Sequence, residues 1–291
     1  MNPTHVLSRL GRVSCVINPL SGSTPADAAA LIGEKLSGLA DPVAIFTVGE
    51  GDLAGQMAAA LAEAPDTLIV WGGDGTIACA LSHAGEQGPA VLPLPGGTMN
   101  MLPTRALGGD HGWDALIDRA LRGGHVRPMP CGEIAGGPRF FVAAMLGDMT
   151  RFTNSREALR EGKLLEAAEI VHDTTALALN SNIVWTVPGQ PPQVATALTV
   201  NINPDTAGKL EIATIDPEGL LDLARLGLEV LNDGWRKAED VALTLAEEVE
   251  AHQTEKGRIS VTLDGELHEM ETPLRFRRIE AAVNIFVPDM S

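Results

Sequence analysis

Four times in about its first third the chain repeats one local order: a short apolar run, a loop rich in small polar residues, then a small-residue helical stretch. Arg12–Ile17, Pro42–Phe46, Thr67–Trp71 and Ala90–Leu94 read as strands. Asn18–Ser23 follows the first, a Gly-rich turn the second, Gly72–Thr76 the third and Pro95–Asn100 the fourth. Pro25 suits the first position of a helix that Thr24 would cap. Leu53, Met57 and Leu61 share one face of the next helix. Strands alternating with helices imply a parallel sheet, and ligands of such sheets sit beyond the carboxyl ends of the strands. All four polar loops fall at those ends.

From about Arg127 the order changes. Arg139–Ala144 reads as a strand and Asn154–Leu179 as a long helix. Ile183–Val187, Ala195–Ile202, Lys209–Thr214, Arg258–Leu263, Leu274–Arg278 and Ala281–Val287 read as further strands, with few helices between them. Ala238–His252 fits either strand or helix. The expected fold is therefore an α/β N-terminal domain with a parallel sheet, followed by a largely antiparallel β domain with a helical insertion.

Charge narrows the partners. Among 291 residues, 38 acidic against 21 basic side chains give a net charge of −17. That argues against nucleic acid, which needs a basic footprint, and 3% aromatic residues offer little for base stacking. Arg151, Arg156, Arg160 and Lys163 are one local basic group, either a solvated helix face or a contact for phosphate headgroups. Cys15, Cys79 and Cys131 are odd in number and far apart, so core filling in a reducing compartment is expected rather than a disulfide framework. No apolar run reaches a membrane span, and Arg9 and Arg12 interrupt any signal-peptide core. A cytoplasmic protein is expected.

The loop Gly72-Gly73-Asp74-Gly75-Thr76 is the sharpest chemical feature. Its glycines are free to adopt positive φ and to let a ligand approach the backbone, and amides opening a helix form an anion site. Asp74 has the wrong sign for direct contact with phosphate, so it would act through Mg²⁺ or water. Neither GxxxxGK[ST] nor GxGxxG occurs, so phosphates would be held without a Walker lysine. Far downstream, Leu263-Asp264-Gly265-Glu266 is a hairpin sequence, since Asp-Gly favours a type I′ turn.

Asn18-Pro19-Leu20-Ser21-Gly22, Gly72–Thr76, the Pro93–Asn100 stretch and Leu263–Glu266 come in the order and spacing of the diacylglycerol kinase catalytic domain. The chain resembles that family, which includes bacterial lipid kinases, sphingosine kinases and ceramide kinases, over about residues 12–288. The resemblance implies a nucleotide-binding domain of residues 1–128, to which 279–291 return, and a lipid-substrate domain of residues 129–278. It implies ATP contacts from Asn18, Pro19, Ser21, Gly22, Thr47, Gly72, Gly73, Asp74, Gly75, Thr76, Gly97 and Thr98. Asp264 would be the general base and Glu266 its acidic partner. Asp74 and Glu218 would be the metal ligands, for Mg²⁺.

Two departures matter. The family's Asp after G-T-x-N is absent, and Met99 and Met101 flank Asn100 instead, as core filling or as an acyl path. The family's D-G-x-L appears as Glu218-Gly219-Leu220-Leu221. The implied activity is phosphoryl transfer from ATP to the hydroxyl of a membrane lipid, diacylglycerol or a sphingoid lipid such as ceramide. The enzyme would be peripheral at the membrane, with room for a homodimer. An NAD kinase-like enzyme and a non-catalytic nucleotide-binding regulator are the alternatives.

Overall fold

Apolar runs too short for a helix, rich in Val and Ile and closed by glycine or proline, form strands on which every side chain is covered. In the computed structural model, which describes residues 10–39, 41–49, 52–147, 183–215, 241–253 and 257–290, β1 (Val13–Ile17) is buried along its whole length. The chain divides into two compact units, residues 1–130 with 280–291 and residues 131–279.

The first unit continues through α1 (Ala28–Leu36), β2 (Ala44–Thr47), α2 (Leu53–Ala62), β3 (Thr67–Gly72), α3 (Asp74–Ala84), β4 (Ala90–Pro95), α4 (Met101–Leu107) and α5 (Trp113–Arg122). Its strands pair in parallel in the order β2-β1-β3-β4. Beyond β4, Ile285 of the chain's last strand pairs in parallel with Val91. β3, like β1, is buried along its length, as a sheet covered on both faces requires. Because β2 lies on one side of β1 and β3 on the other, strand order reverses there. The crevice beyond the carboxyl ends of β1 and β3 is thus the site the topology offers a ligand.

β5 (Gly124–Ile134) leads into the second unit. There follow β6 (Arg139–Phe140), β7 (Ala143–Leu146), β8 (Ile183–Thr186), β9 (Gln193–Ala195), β10 (Ala197–Asn201), β11 (Leu210–Ile215), β12 (Val241–Ala246), β13 (Glu248–Gln253), β14 (Arg258–Leu263), β15 (Glu266–Glu271) and β16 (Leu274–Pro288). A six-stranded antiparallel sheet runs β12-β11-β10-β7-β14-β15. The first part of β16 pairs with β13, which continues through β8 to β9. Phe140, Trp185, Leu198, Ile212, Val261 and Phe276 belong to one buried core drawn from both sets of strands. Phe140 and Phe276 meet there edge to face at 6.2 Å.

The architecture is the expected one: a parallel α/β domain followed by an antiparallel β domain. Details differ for physical reasons. The first helix begins at Ala28 rather than at Pro25, because the Thr24 hydroxyl donates to the Gly96 carbonyl at 3.3 Å instead of capping. The open stretch Ala238–His252 supplies two strands, β12 and β13. The expected strand Arg139–Ala144 is broken at Phe141-Val142, where the main chain turns its amides to a side chain described below. Leu274–Arg278 and Ala281–Val287 are one continuous strand. Only Ile279 and Glu280 lie between them, and both continue the strand; in its first part Arg275 pairs with Glu250 and Arg277 with Glu133. The expected helix Asn154–Leu179, the Arg151–Lys163 basic group and Glu218 lie outside the described residues. Among the described residues no helix is long and apolar enough to cross a membrane.

Candidate active site

Three loops meet at the carboxyl ends of β1, β3 and β4. Asn18 binds both sides of the β3–α3 turn: its amide N–H donates to the Trp71 carbonyl of β3 at 2.9 Å, and its Nδ2 donates to Thr76 Oγ1 of α3 at 2.9 Å. Asn18 Oδ1 accepts the Leu20 amide at 3.1 Å, which shapes the turn through half-buried Pro19. Ser21 Oγ then accepts the Gly73 N–H at 2.9 Å. Ser23 ties the first loop to the third, donating from its amide to the Gly96 carbonyl at 2.9 Å and from its hydroxyl to the Gly97 carbonyl at 2.8 Å. Gly96 N–H closes the ring by donating to the Gly72 carbonyl at 3.0 Å.

The glycines serve close approach, not unusual dihedrals. None of Gly72, Gly73 and Gly75 is among the glycines with positive φ, contrary to the expectation from sequence. Gly73 is extended, at φ −77° and ψ 175°. Instead, a Cβ at Gly97 would lie 2.8 Å from Gly73 Cα, and one at Gly96 3.0 Å from Gly72 Cα. At Gly72 it would meet Thr76 Cβ at 2.8 Å. Only hydrogen in place of Cβ lets two backbones pass this closely.

α3 opens from Gly73 with no side-chain cap, and its first turn contains Asp74, Gly75 and Thr76. Amides in that turn have no acceptor within the helix, so together with the helix dipole they favour an anion. Asp74 Oδ1 accepts the Leu102 N–H at 2.8 Å, which anchors the first turn of α4. Oδ2 has no hydrogen-bond partner among the described residues, which leaves one half-exposed carboxylate oxygen. Among those residues no three His, Cys, Asp or Glu side chains form a metal cluster. Asp74 Oδ2 suits a magnesium ion that takes one protein oxygen and draws its other ligands from phosphate and water.

The other residues singled out in the sequence lie at the same ends of the parallel strands. Thr47 ends β2, exposed and in register with Ile17, one residue before Asn18. Thr98 is exposed, and a Cβ at Gly22 would meet its hydroxyl at 3.1 Å. Met99 is 56% exposed rather than core filling. Asn100 has φ +49° and turns its Oδ1 back to accept the Gly97 N–H at 2.9 Å. Trp71 stiffens the floor, donating from Nε1 to the Pro95 carbonyl at 3.1 Å and stacking on Trp113 at 4.4 Å.

In the second unit, Leu263 and Glu266 pair across a two-residue turn. Asp264 at φ +49° and Gly265 at φ +98° give that turn its type I′ form. The Asp264 carboxylate accepts three successive main-chain amides: Phe141 at 2.6 Å, Val142 at 2.8 Å and Ala143 at 3.0 Å. This concave group of amides is why the predicted strand breaks there, and it holds the carboxylate in one orientation. Glu266 is exposed and has no hydrogen-bond or ion-pair partner among the described residues.

Other features were not legible in the sequence. Glu133 pairs with Arg277 and, at 3.5 Å, with Arg139. Burial pushes the neighbouring Cys131 thiol up to about 12, with smaller opposing effects from Arg139, Glu133, Asp264 and Arg277. Arg127 donates to the Ala106 carbonyl in the last turn of α4 at 2.6 Å, and burial lowers its pKa. Thr262 is 5% exposed and its hydroxyl has no hydrogen-bond partner among the described residues, a deficit that costs about 1–3 kcal/mol. An alternating strand gives no hint which of its threonines lacks a partner.

Residues 12–134 match the family model of the diacylglycerol kinase catalytic domain. A Bacillus anthracis protein provisionally assigned as a diacylglycerol kinase superposes at a TM-score of 0.72 with 18% identity, covering 99% of each chain. A diacylglycerol kinase from the same organism superposes at 0.65 with 17% identity, over 96% of this chain and 97% of that one. The chain thus resembles the diacylglycerol kinase catalytic-domain family, in sequence over residues 12–134 and in fold over nearly its full length.

Proposed function

We propose that this protein is an ATP-dependent lipid kinase that phosphorylates the hydroxyl of diacylglycerol or of a sphingoid lipid such as ceramide, acting peripherally at a membrane. The observation that carries the reading is the uncapped first turn of α3 at the β1/β3 crevice, ringed by three interlocked loops. Oriented amides there suit a polyphosphate and replace the missing Walker lysine. Ser21, Thr76 and Thr98 add hydroxyls around the same point. Asp74 offers the single carboxylate oxygen that a Mg²⁺–ATP complex needs, and Mg²⁺ when bound would neutralise charge on the phosphate oxygens.

In the reaction the lipid oxygen forms a bond to the γ-phosphorus as the bond from that phosphorus to the bridging oxygen of ADP breaks. We assign Asp264 the hydroxyl proton. Its three main-chain amide partners support the assignment by fixing the carboxylate, and fixed geometry matters most in phosphoryl transfer. Glu266, exposed on the same hairpin, is the second acidic group.

The test is transfer of labelled γ-phosphate from ATP to diacylglycerol, ceramide, sphingosine, monoacylglycerol and NAD. Asp264→Asn should lose about 10²–10⁴ in turnover while ATP still raises its thermal midpoint. Near-wild-type turnover would overturn the base assignment, and labelling of NAD without any lipid would overturn the acceptor class. Glu266→Gln removes no side-chain hydrogen bond among the described residues and so reports on chemistry rather than folding.

A further inference from the structure

We propose that the Thr262 hydroxyl donates a hydrogen bond to an acyl carbonyl oxygen of the lipid substrate, selecting lipids with an ester or amide carbonyl close to the acceptor hydroxyl. This rests on the lipid-kinase reading above.

The six-stranded sheet has two faces, and the core occupies one of them: Ala144, Leu146, Leu198, Val200, Ile212 and Val261 all point into it. Alternation along each strand puts their neighbours on the other face. The register aligns one row straight across that face: Leu243 opposite Ala213, Ala213 opposite Thr199, Thr199 opposite Met145, Met145 opposite Thr262 and Thr262 opposite Leu267. The row is uncharged throughout. Of its inner members Ala213, Thr199 and Thr262 are 0%, 6% and 5% exposed and Met145 is half-buried, while the end leucines Leu243 and Leu267 are 44% and 47% exposed.

The two threonines of the row differ in one respect. Thr199 Oγ1 accepts the Asn201 side-chain amide at 3.0 Å, whereas Thr262 Oγ1 is buried without a partner among the described residues. A buried hydroxyl on an uncharged, partly apolar row suits a neutral acceptor, not a phosphate. Thr262 stands two residues before Asp264 on the same strand and turn, about 6–7 Å along the chain. In an acylglycerol five covalent bonds separate the free hydroxyl oxygen from the nearer carbonyl oxygen, about 6 Å when extended. One lipid can therefore present its hydroxyl at Asp264 and its carbonyl at Thr262.

The experiment compares 1,2-dioleoylglycerol with its dialkyl ether analogue, which lacks carbonyls, in detergent micelles with wild type, Thr262→Val and Thr262→Ser. Wild type should favour the ester about tenfold in kcat/KM. Thr262→Val should lose that preference through a raised KM, with ether turnover unchanged, and Thr262→Ser should keep it. Equal losses on both lipids, or an unchanged preference in the valine variant, would overturn the proposal. Without lipid, Thr262→Val should melt at or above wild type, since it removes an unsatisfied hydroxyl; a drop of several degrees would mean a partner within the protein and would also overturn it. Failure of the parent reading shows differently, as no transfer by wild type to either lipid.

Discussion

Ser21 Oγ accepts the main-chain N–H of Gly73 at 2.9 Å, joining residues 52 apart in sequence. The loop after β1 is thereby fastened to the residue from which α3 opens. The three loops at the carboxyl ends of β1, β3 and β4 act as one body, not as three independent turns.

Replacing Ser21 by alanine removes this bond and exposes nothing new. The expected cost is about 1 kcal/mol, or roughly 2–4 °C in thermal midpoint. ATP affinity should fall further than stability, because the β1 loop is released from the helix start. Thermal melts with and without Mg²⁺–ATP measure both, and a Ser21→Ala protein with unchanged nucleotide response would refute the coupling.

Gly97→Ala should be more severe. Its Cβ would come within 2.8 Å of Gly73 Cα, and backbone has no rotamer with which to give way. A cost of about 1–3 kcal/mol and loss of ATP-induced stabilisation are expected. Gly38→Ala, where nothing lies within 4 Å, serves as the control and should unfold in denaturant like the wild type.

The thiols give a pH prediction. Burial pushes both Cys15 and Cys131 from 9.0 up to about 12. Because the folded state requires the protonated thiol, their contribution is complete below pH 9. It declines as pH rises from about 9 towards 12, by on the order of a few kcal/mol. Urea unfolding at successive pH values should show that decline, and Cys15→Ala should flatten part of it. At pH 8 a thiol reagent should label half-buried Cys79 first, and Cys15 and Cys131 only on unfolding.

Much of this was readable in advance. Each βα unit of the first domain announces itself through an apolar run and a loop of glycines and hydroxyl residues, since local sterics and strand burial decide both. The Asp264-Gly265 turn was equally local: two adjacent residues that tolerate positive φ define it. The use of the glycines was not readable. Gly96 and Gly97 are small because Gly72 and Gly73, more than twenty residues away, pass against them, and their own dihedrals are ordinary. The break at Phe141-Val142 was hidden for the same reason, being caused by a carboxylate more than 120 residues downstream.

What the residues decide by themselves, then, is element type, the order of the loops and the identity of the chemical groups, because these depend on neighbours along the chain. Which amide meets which oxygen, which threonine is left without a partner and which thiol is sealed from water follow only from packing. Those contacts join strands distant in sequence, and burial makes each paired or unpaired polar atom count in the energy of the fold.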